Sequence, residues 1–295
     1  ILIGGRTKML INGKQLEKIV QQAKAEGWGI GAFNIGDYDT AEIILDAAEE
    51  TNTPVMLQMM DWNGPQIFGK KTTQKVLEYY RYVRDRAEMA AVPVAIHLDH
   101  CPTFGGCCRA IQYGASSVML DASMKPLEEN AELTNKVKEV CDETGVLLEA
   151  EIGHVGGHAN STGAVYTEVD TAKKFYDMTK VDMLAVSIGT VHGVYTSDPV
   201  LNYERIKELN EAIPAALVMH GSSGLSPEQF HDAVANGIVK INFATYLQLE
   251  AANAVKGFLA ENPDKPRLGA LVSAAHDAGV EYIKKHIGYF MTKSI

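Results

Sequence analysis

The sequence predicts a closed (β/α)8 barrel with one extra helix at its C-terminal end. Three observations predict it. From Trp28 onward short β-branched or apolar runs alternate with longer amphipathic stretches, the short runs number eight, and no Ser/Pro-rich linker or charge block separates them. With 295 residues, 46% of them hydrophobic, the chain is long enough for one large barrel or two ordinary domains, and the unbroken alternation favours a single domain over residues 9–295. Residues 1–8 precede Met9 without a periodic pattern and are expected to be an extraneous remnant.

The expected strands lie at 29–33, 54–59, 93–98, 116–120, 146–151, 183–188, 215–219 and 238–241, each a short apolar or β-branched run. Helices are expected between them, for example at 40–51, 126–144 and 227–236. Gly145 and Gly237 stand where left-handed C-caps are expected, and Ser226-Pro227 reads as an N-cap with a first-turn proline. A further helix at 268–286 falls outside the eight units, and its place is an oligomer contact or simple packing.

In such a barrel the reacting groups come from the C-terminal strand ends and the loops that follow. The polar residues there are Asn34, Gln58, Asp99, His100, Asp121, Glu149, Glu151, His192, His220 and Asn242, in strand order. Imidazole is a preferred neutral zinc ligand, and a catalytic zinc takes three protein ligands, so His100, His192 and His220 are the metal candidates. Asp99 either handles protons beside the metal or orients a ligating ring. Along an extended strand Asp99 and His100 should diverge. His97 is read as structural. Asp121 and Glu151 suit a second divalent ion or an alternative position of the first. The turns His192-Gly193 and His220-Gly221-Ser222-Ser223-Gly224 let main-chain N–H groups approach an oxyanion, or are ordinary loops.

Composition narrows the partners. A net charge of -10 and a pI near 5.4 repel nucleic-acid backbones and anionic membranes, so a small anionic substrate would need a metal or local dipoles to attract it. No apolar run approaches membrane-spanning length and the N-terminus lacks a signal pattern. None of the four cysteines forms a C-x-x-C pair, and Cys107 and Cys108 are adjacent, which suits reduced thiols in a cytoplasmic protein.

Seven segments, in order along nearly the whole chain from Met9, resemble the class II, zinc-dependent ketose-bisphosphate aldolases, a TIM-barrel family. They are Gly31-Ala32-Phe33-Asn34, His97-Leu98-Asp99-His100, Val118 to Ser123, Glu149 to Gly153, Ala185 to Gly193, His220 to Gly224 and Lys240 to Thr245. The resemblance implies that His100, His192 and His220 bind the catalytic zinc, that Asp99 exchanges the proton of the substrate C4 hydroxyl, and that Asp121 and Glu151 form a second metal site. It implies that Gly193, Gly221, Ser222 and Ser223, with Asn242, Phe243, Ala244 and Thr245, hold a ketose phosphate, with Asn34 a further substrate contact. A monovalent cation, Na+ or K+, on carbonyls near Val191, Gly193 and Gly221 follows on the same grounds, as does a homodimer or homotetramer.

Four departures bear on the substrate. Ala244 stands where fructose-bisphosphate aldolases usually carry aspartate, which looks closer to the tagatose-bisphosphate branch. Thr196 replaces a lysine near the phosphate, and Met60 replaces a serine after the second strand. The mobile loop reads Gly156-Gly157-His158-Ala159-Asn160 and lacks the family's glutamate, leaving His158 or His154 as candidate base. The expected activity is therefore release of dihydroxyacetone phosphate from a ketose 1-phosphate, with tagatose or fructose 1,6-bisphosphate as default and deoxy-ketogluconate or sulfo-sugar phosphates as alternatives. A zinc hydrolase would use the same histidines to acidify water, and a sugar-phosphate sensor would keep the site without turnover.

Overall fold

The computed structural model describes residues 8–60, 73–153, 166–195, 198–264 and 267–294. Eight parallel strands close into one barrel in chain order: β1 (Ile30–Asn34), β2 (Val55–Met60), β3 (Val94–Cys101), β4 (Ser117–Leu120), β5 (Leu147–Ile152), β6 (Met183–Val186), β7 (Ala216–Met219) and β8 (Ile238–Phe243). Closure is made by β1 against β8, with Ile30 level with Lys240 and Phe33 with Phe243. All eight expected strands are present, and β3 runs three residues past its expected end.

The outer helices are α2 (Tyr38–Thr51), α3 (Thr73–Met89), α4 (Phe104–Gln112), α5 (Leu127–Thr144), α6 (Val169–Thr179), α7 (Tyr203–Ala212) and α8 (Pro227–Ala235), followed by α9 (Thr245–Glu261) and α10 (Leu268–Tyr289). Gly145 caps α5 at φ 67°, and Ser226 opens α8 with a capping box and Pro227 in the first turn. At the end of α8 the cap itself is Asn236, and Gly237 follows it with φ 124°.

Strand side chains alternate between two cores, as period 2 requires. Outward residues such as Phe33, Leu57, Leu148 and Ile241 pack under the helices. Inward residues Ile30, Ala32, Met56, Ala95, Leu147, Met183, Ala185, Ala216 and Val218 fill the lower barrel.

That inner core is closed from below by α1 (Gly13–Glu26), a helix the expected pattern had not included. Asn12 and Gln15 form its capping box, Gly27 ends it at φ 68°, and Leu16, Ile19, Val20 and Ala23 form the face that joins the inner core. Leu16 is 1% exposed, a burial that stabilises by roughly 1.5–3 kcal/mol. Lys24 anchors the plug by donating to the carbonyls of Ile213, Pro214 and Ala215 at 3.3, 2.9 and 3.0 Å.

At the other extreme of burial, α9 covers only Leu247 fully, although it is rich in apolar residues. Leu249, Leu259, Leu268 and Val272 of α9 and α10 are exposed. Among the described residues no helix is long and apolar enough to cross a membrane, and all four cysteines are free thiols.

Candidate active site

The upper barrel is polar where the lower barrel is apolar. Inward positions on β3 carry His97 and Asp99, those on β5 Glu149 and Glu151, and those on β8 Lys240 and Asn242, and each is at most 6% exposed. At the top of β3 the pairing with β4 shifts between Leu98 and Cys101, and His100 takes φ 46°, a left-handed conformation that costs a β-carbon-bearing residue about 1–2 kcal/mol. Extended geometry would have sent Asp99 and His100 to opposite faces. The bulge instead turns both into one cavity at the barrel mouth.

Three rings converge there. His100 lies with its ring centroid 4.7 Å from that of His220 and 5.2 Å from that of His192, and one nitrogen of each lies within 4.8 Å of the others. His100 Nδ1 pairs with Asp121 Oδ2 at 2.8 Å, which leaves Nε2 pointing inward, 3.0 Å from His220 Nδ1. Two ring nitrogens facing each other this closely suit a shared cation, and their outer nitrogens are held by carboxylates in the manner of metal-bound imidazoles. Asp121 and Glu151 form a second such group with His100. The donor set of three imidazoles with carboxylates behind fits zinc.

Asp99 is held by two amides, accepting from Asn34 Nδ2 at 2.8 Å and from Asn242 Nδ2 at 3.2 Å. Gln58 donates to Asn34 Oδ1 at 3.0 Å and so fixes that amide's orientation. Burial raises the Asp99 pKa, but His100, His220, Lys240 and the bond from Asn34 outweigh it, so the carboxyl stays below its usual range. Burial pulls His100 down, yet Asp99, Asp121 and Glu151 push it up to about 9. Burial, reinforced by the charge of His100, holds His220 well below the usual histidine range, as a neutral ring.

Of the expected substrate contacts, Asn34, Gly193, Gly221, Ser223, Asn242, Phe243, Ala244 and Thr245 line the cavity with Asp99, His100 and His192. Ser222 does not: its hydroxyl is buried and donates to the Asn242 carbonyl at 2.6 Å. Ser223 Oγ accepts from Ala244 N at 3.1 Å. Gly221 has φ 63°, and a β-carbon there would stand 2.6 Å from the Val191 carbonyl. Tyr195 braces this turn, donating its hydroxyl to Gly221 O at 2.7 Å while accepting from Val191 N at 3.2 Å. Ala244 gives α9 no side-chain cap, so first-turn N–H groups of a 17-residue helix open beside Gly193 and Gly221, a favourable place for an anion. Met60, 53% exposed, lines the cavity where its strand pairs with Asp99. His154, His158, Ala159 and Thr196 lie outside the described residues.

Comparison with known proteins shows the family. The family model for class-II fructose-bisphosphate aldolase matches residues 14–294. The chain belongs to that family. It is thus a class II aldolase, a carbon–carbon lyase. A sulfofructosephosphate aldolase of Alkalicoccus urumqiensis is 36% identical, covering 95% of this chain and 96% of that protein. A fructose-bisphosphate aldolase of Staphylococcus epidermidis is 33% identical, covering 95% and 97%. Among solved structures, the YdjI aldolase from Escherichia coli K12 superposes with a TM-score of 0.81 at 32% identity, over 94% of this chain and 97% of that one. The fructose-bisphosphate aldolase from Campylobacter jejuni reaches 0.84 at 26% identity, covering 98% and 97%.

Several residues that shape the aldolase site escape a reading of strand ends. Lys240 and His97 lie below the mouth and Tyr195 sits in a loop, whereas Gln58, which is among the strand-end residues, acts through Asn34. The inward period of β3 and β8 could have found His97 and Lys240, because a polar residue at an inward strand position needs a partner.

Proposed function

We propose that this aldolase uses zinc held by His100, His192 and His220 to cleave a ketose 1-phosphate into dihydroxyacetone phosphate and an aldehyde. The observation that carries this reading is the convergence of three imidazoles beside a buried aspartate clamped by two amides. When bound, zinc supplies Lewis-acid stabilisation of the negative charge that develops on the ketone side as the carbon–carbon bond breaks.

The chain's own residues supply the rest. Asp99, kept ionised, takes the C4 hydroxyl proton during cleavage and returns it during condensation. Asn34 and Asn242 aim its two oxygens. The N-terminus of α9, with Gly193, Gly221, Ser223 and Phe243, receives the phosphate through main-chain N–H groups and the Ser223 hydroxyl. Ser222 supports this surface from behind. Asp121 and Glu151 offer a second cation position that shares His100. A Na+ or K+ ion is assigned to the carbonyls near Val191, Gly193 and Gly221, the last of which already accepts from Tyr195. His158 is assigned the proton transfer at the carbon released from the aldehyde.

The default substrate is tagatose or fructose 1,6-bisphosphate. A sulfo-sugar phosphate is the second reading, favoured by the relative named for sulfofructosephosphate. The exposed apolar residues of α9 and α10 support a homodimer or homotetramer, which light scattering on a sizing column measures. A panel of these ketose phosphates, assayed for zinc-dependent release of dihydroxyacetone phosphate, tests the function. Release that a chelator stops and zinc restores is expected, and no release from any substrate overturns the proposal.

A further inference from the structure

Directly beneath the three rings lies a buried ion pair that the chemistry above does not use. Lys240 Nζ is 2.9 Å from Glu149 Oε2, and both side chains are fully buried. A charge taken this far from water costs several kcal/mol unless it is paired and hydrogen-bonded, so barrel filling alone would favour apolar groups like those of the layer below. Neither member stops at the other. Glu149 Oε1 meets His220 Nε2 at 2.8 Å, and Lys240 Nζ donates to Asn242 Oδ1 at 2.5 Å. His97 fills the remaining side, its Nε2 3.5 Å from Glu149 Oε2 and its Nδ1 2.7 Å from Ser117 Oγ.

These contacts fix two choices that the mouth cannot make for itself. An ionised Glu149, neutralised by Lys240, only accepts, so the His220 proton must sit on Nε2 and the lone pair on Nδ1, the atom that faces His100. Lys240 only donates, so Asn242 must turn its oxygen down and its Nδ2 up toward Asp99. The same Nδ2 lies 3.1 Å from His220 Nε2. With His220 donating from Nε2 to Glu149, this is a contact between two N–H groups. With the Glu149 carboxylate replaced by a neutral amide, Asn242 donates to that nitrogen and drives the ring proton to Nδ1.

We propose that Lys240 and Glu149 are a positioning pair that sets the tautomer of His220 through one partner and the orientation of Asn242, and through it Asp99, through the other. One ion pair thereby holds the metal-facing atom and the proton-handling carboxylate in step. This inference rests on the functional reading above, and it makes His220 and Asp99 depend on groups that touch neither metal nor substrate.

The test uses the full chain with Glu149→Gln, Lys240→Met and the two combined, because the combined variant is neutral and avoids stranding one buried charge. The first measurement is the ring-nitrogen NMR spectrum of metal-free protein: the wild type should show His220 protonated on Nε2, and the combined variant should show population of the Nδ1-protonated form. The second is zinc affinity by chelator competition, expected to fall about 10–100-fold in Glu149→Gln and in the combined variant. The third is steady-state cleavage, where kcat should fall with KM for the ketose phosphate little changed, because the phosphate surface is untouched. A folded combined variant with the wild-type tautomer, zinc affinity and kcat overturns the positioning role while leaving the aldolase reading intact. Failure of the wild type to bind zinc at the three histidines overturns both.

Discussion

The two ends of the barrel are built from the same eight strands and solve opposite problems. Below, Leu147, Met183, Ala185 and Val218 meet Leu16, Ile19 and Val20 of α1 in a dry layer that needs no orientation beyond close packing. Above, the inward positions of the same strands hold carboxylates, amides and imidazoles whose value depends on direction. The plugged end thus holds only apolar packing, and the mouth is left with the strained and electrostatically costly groups. His100 at positive φ and the buried Lys240–Glu149 pair are tolerable because the layer beneath them is well packed.

Changes at either end should separate the two properties. The largest effect is expected from Asp99→Ala, which should lower kcat by about 10²–10⁴-fold while thermal unfolding stays near that of the wild type. A variant that loses folding and activity together would erase the contrast. Leu16→Ala should do the reverse, costing about 2–5 kcal/mol in denaturant unfolding with kcat/KM unchanged while the protein remains folded. Gly221→Ala lies between them, since its β-carbon meets the Val191 carbonyl and its φ is positive. About 1–3 kcal/mol of strain should appear chiefly as a raised KM for the ketose phosphate.

The smallest effect is expected on the outer wall, at His286 on α10, which packs among Phe230, Phe243 and Tyr282. Burial lowers its pKa, against the pull of its bond to the Tyr282 carbonyl. The unfolded ring therefore takes a proton first as pH falls below about 6.5, so stability is complete above that value and declines as pH drops toward the folded pKa. His286→Phe should flatten this slope in unfolding measured between about pH 5 and 7.5 without altering catalysis.

The sequence carried the barrel because apolar runs and amphipathic stretches are periodic signals, and every expected strand lies within a few residues of its observed place. It carried the three histidines and Asp99 because strand ends are where a barrel displays polar groups. Helix α1 was invisible to that reasoning, since it precedes the first strand and belongs to no βα unit. The bulge at His100 was invisible for another reason: no glycine marks the positive φ, so nothing local announces that Asp99 and His100 turn the same way. Lys240 was legible as a polar residue in an apolar strand, but its partners come from β5 and from two residues along its own strand. Only closure of the barrel brings Glu149 to it.

The plug made by α1 also sets the traffic. With the lower end filled by α1, the proposed ketose phosphate would enter and both fragments would leave by the same doorway at the mouth. In the proposed reaction the phosphate is held on the β6 to β8 side of the cavity, and the aldehyde half is expected toward Met60 and Asp99, which line the β2 to β3 side. The untethered aldehyde should therefore depart first and the phosphorylated fragment last. In product-inhibition kinetics, dihydroxyacetone phosphate should compete with the ketose while the aldehyde should not.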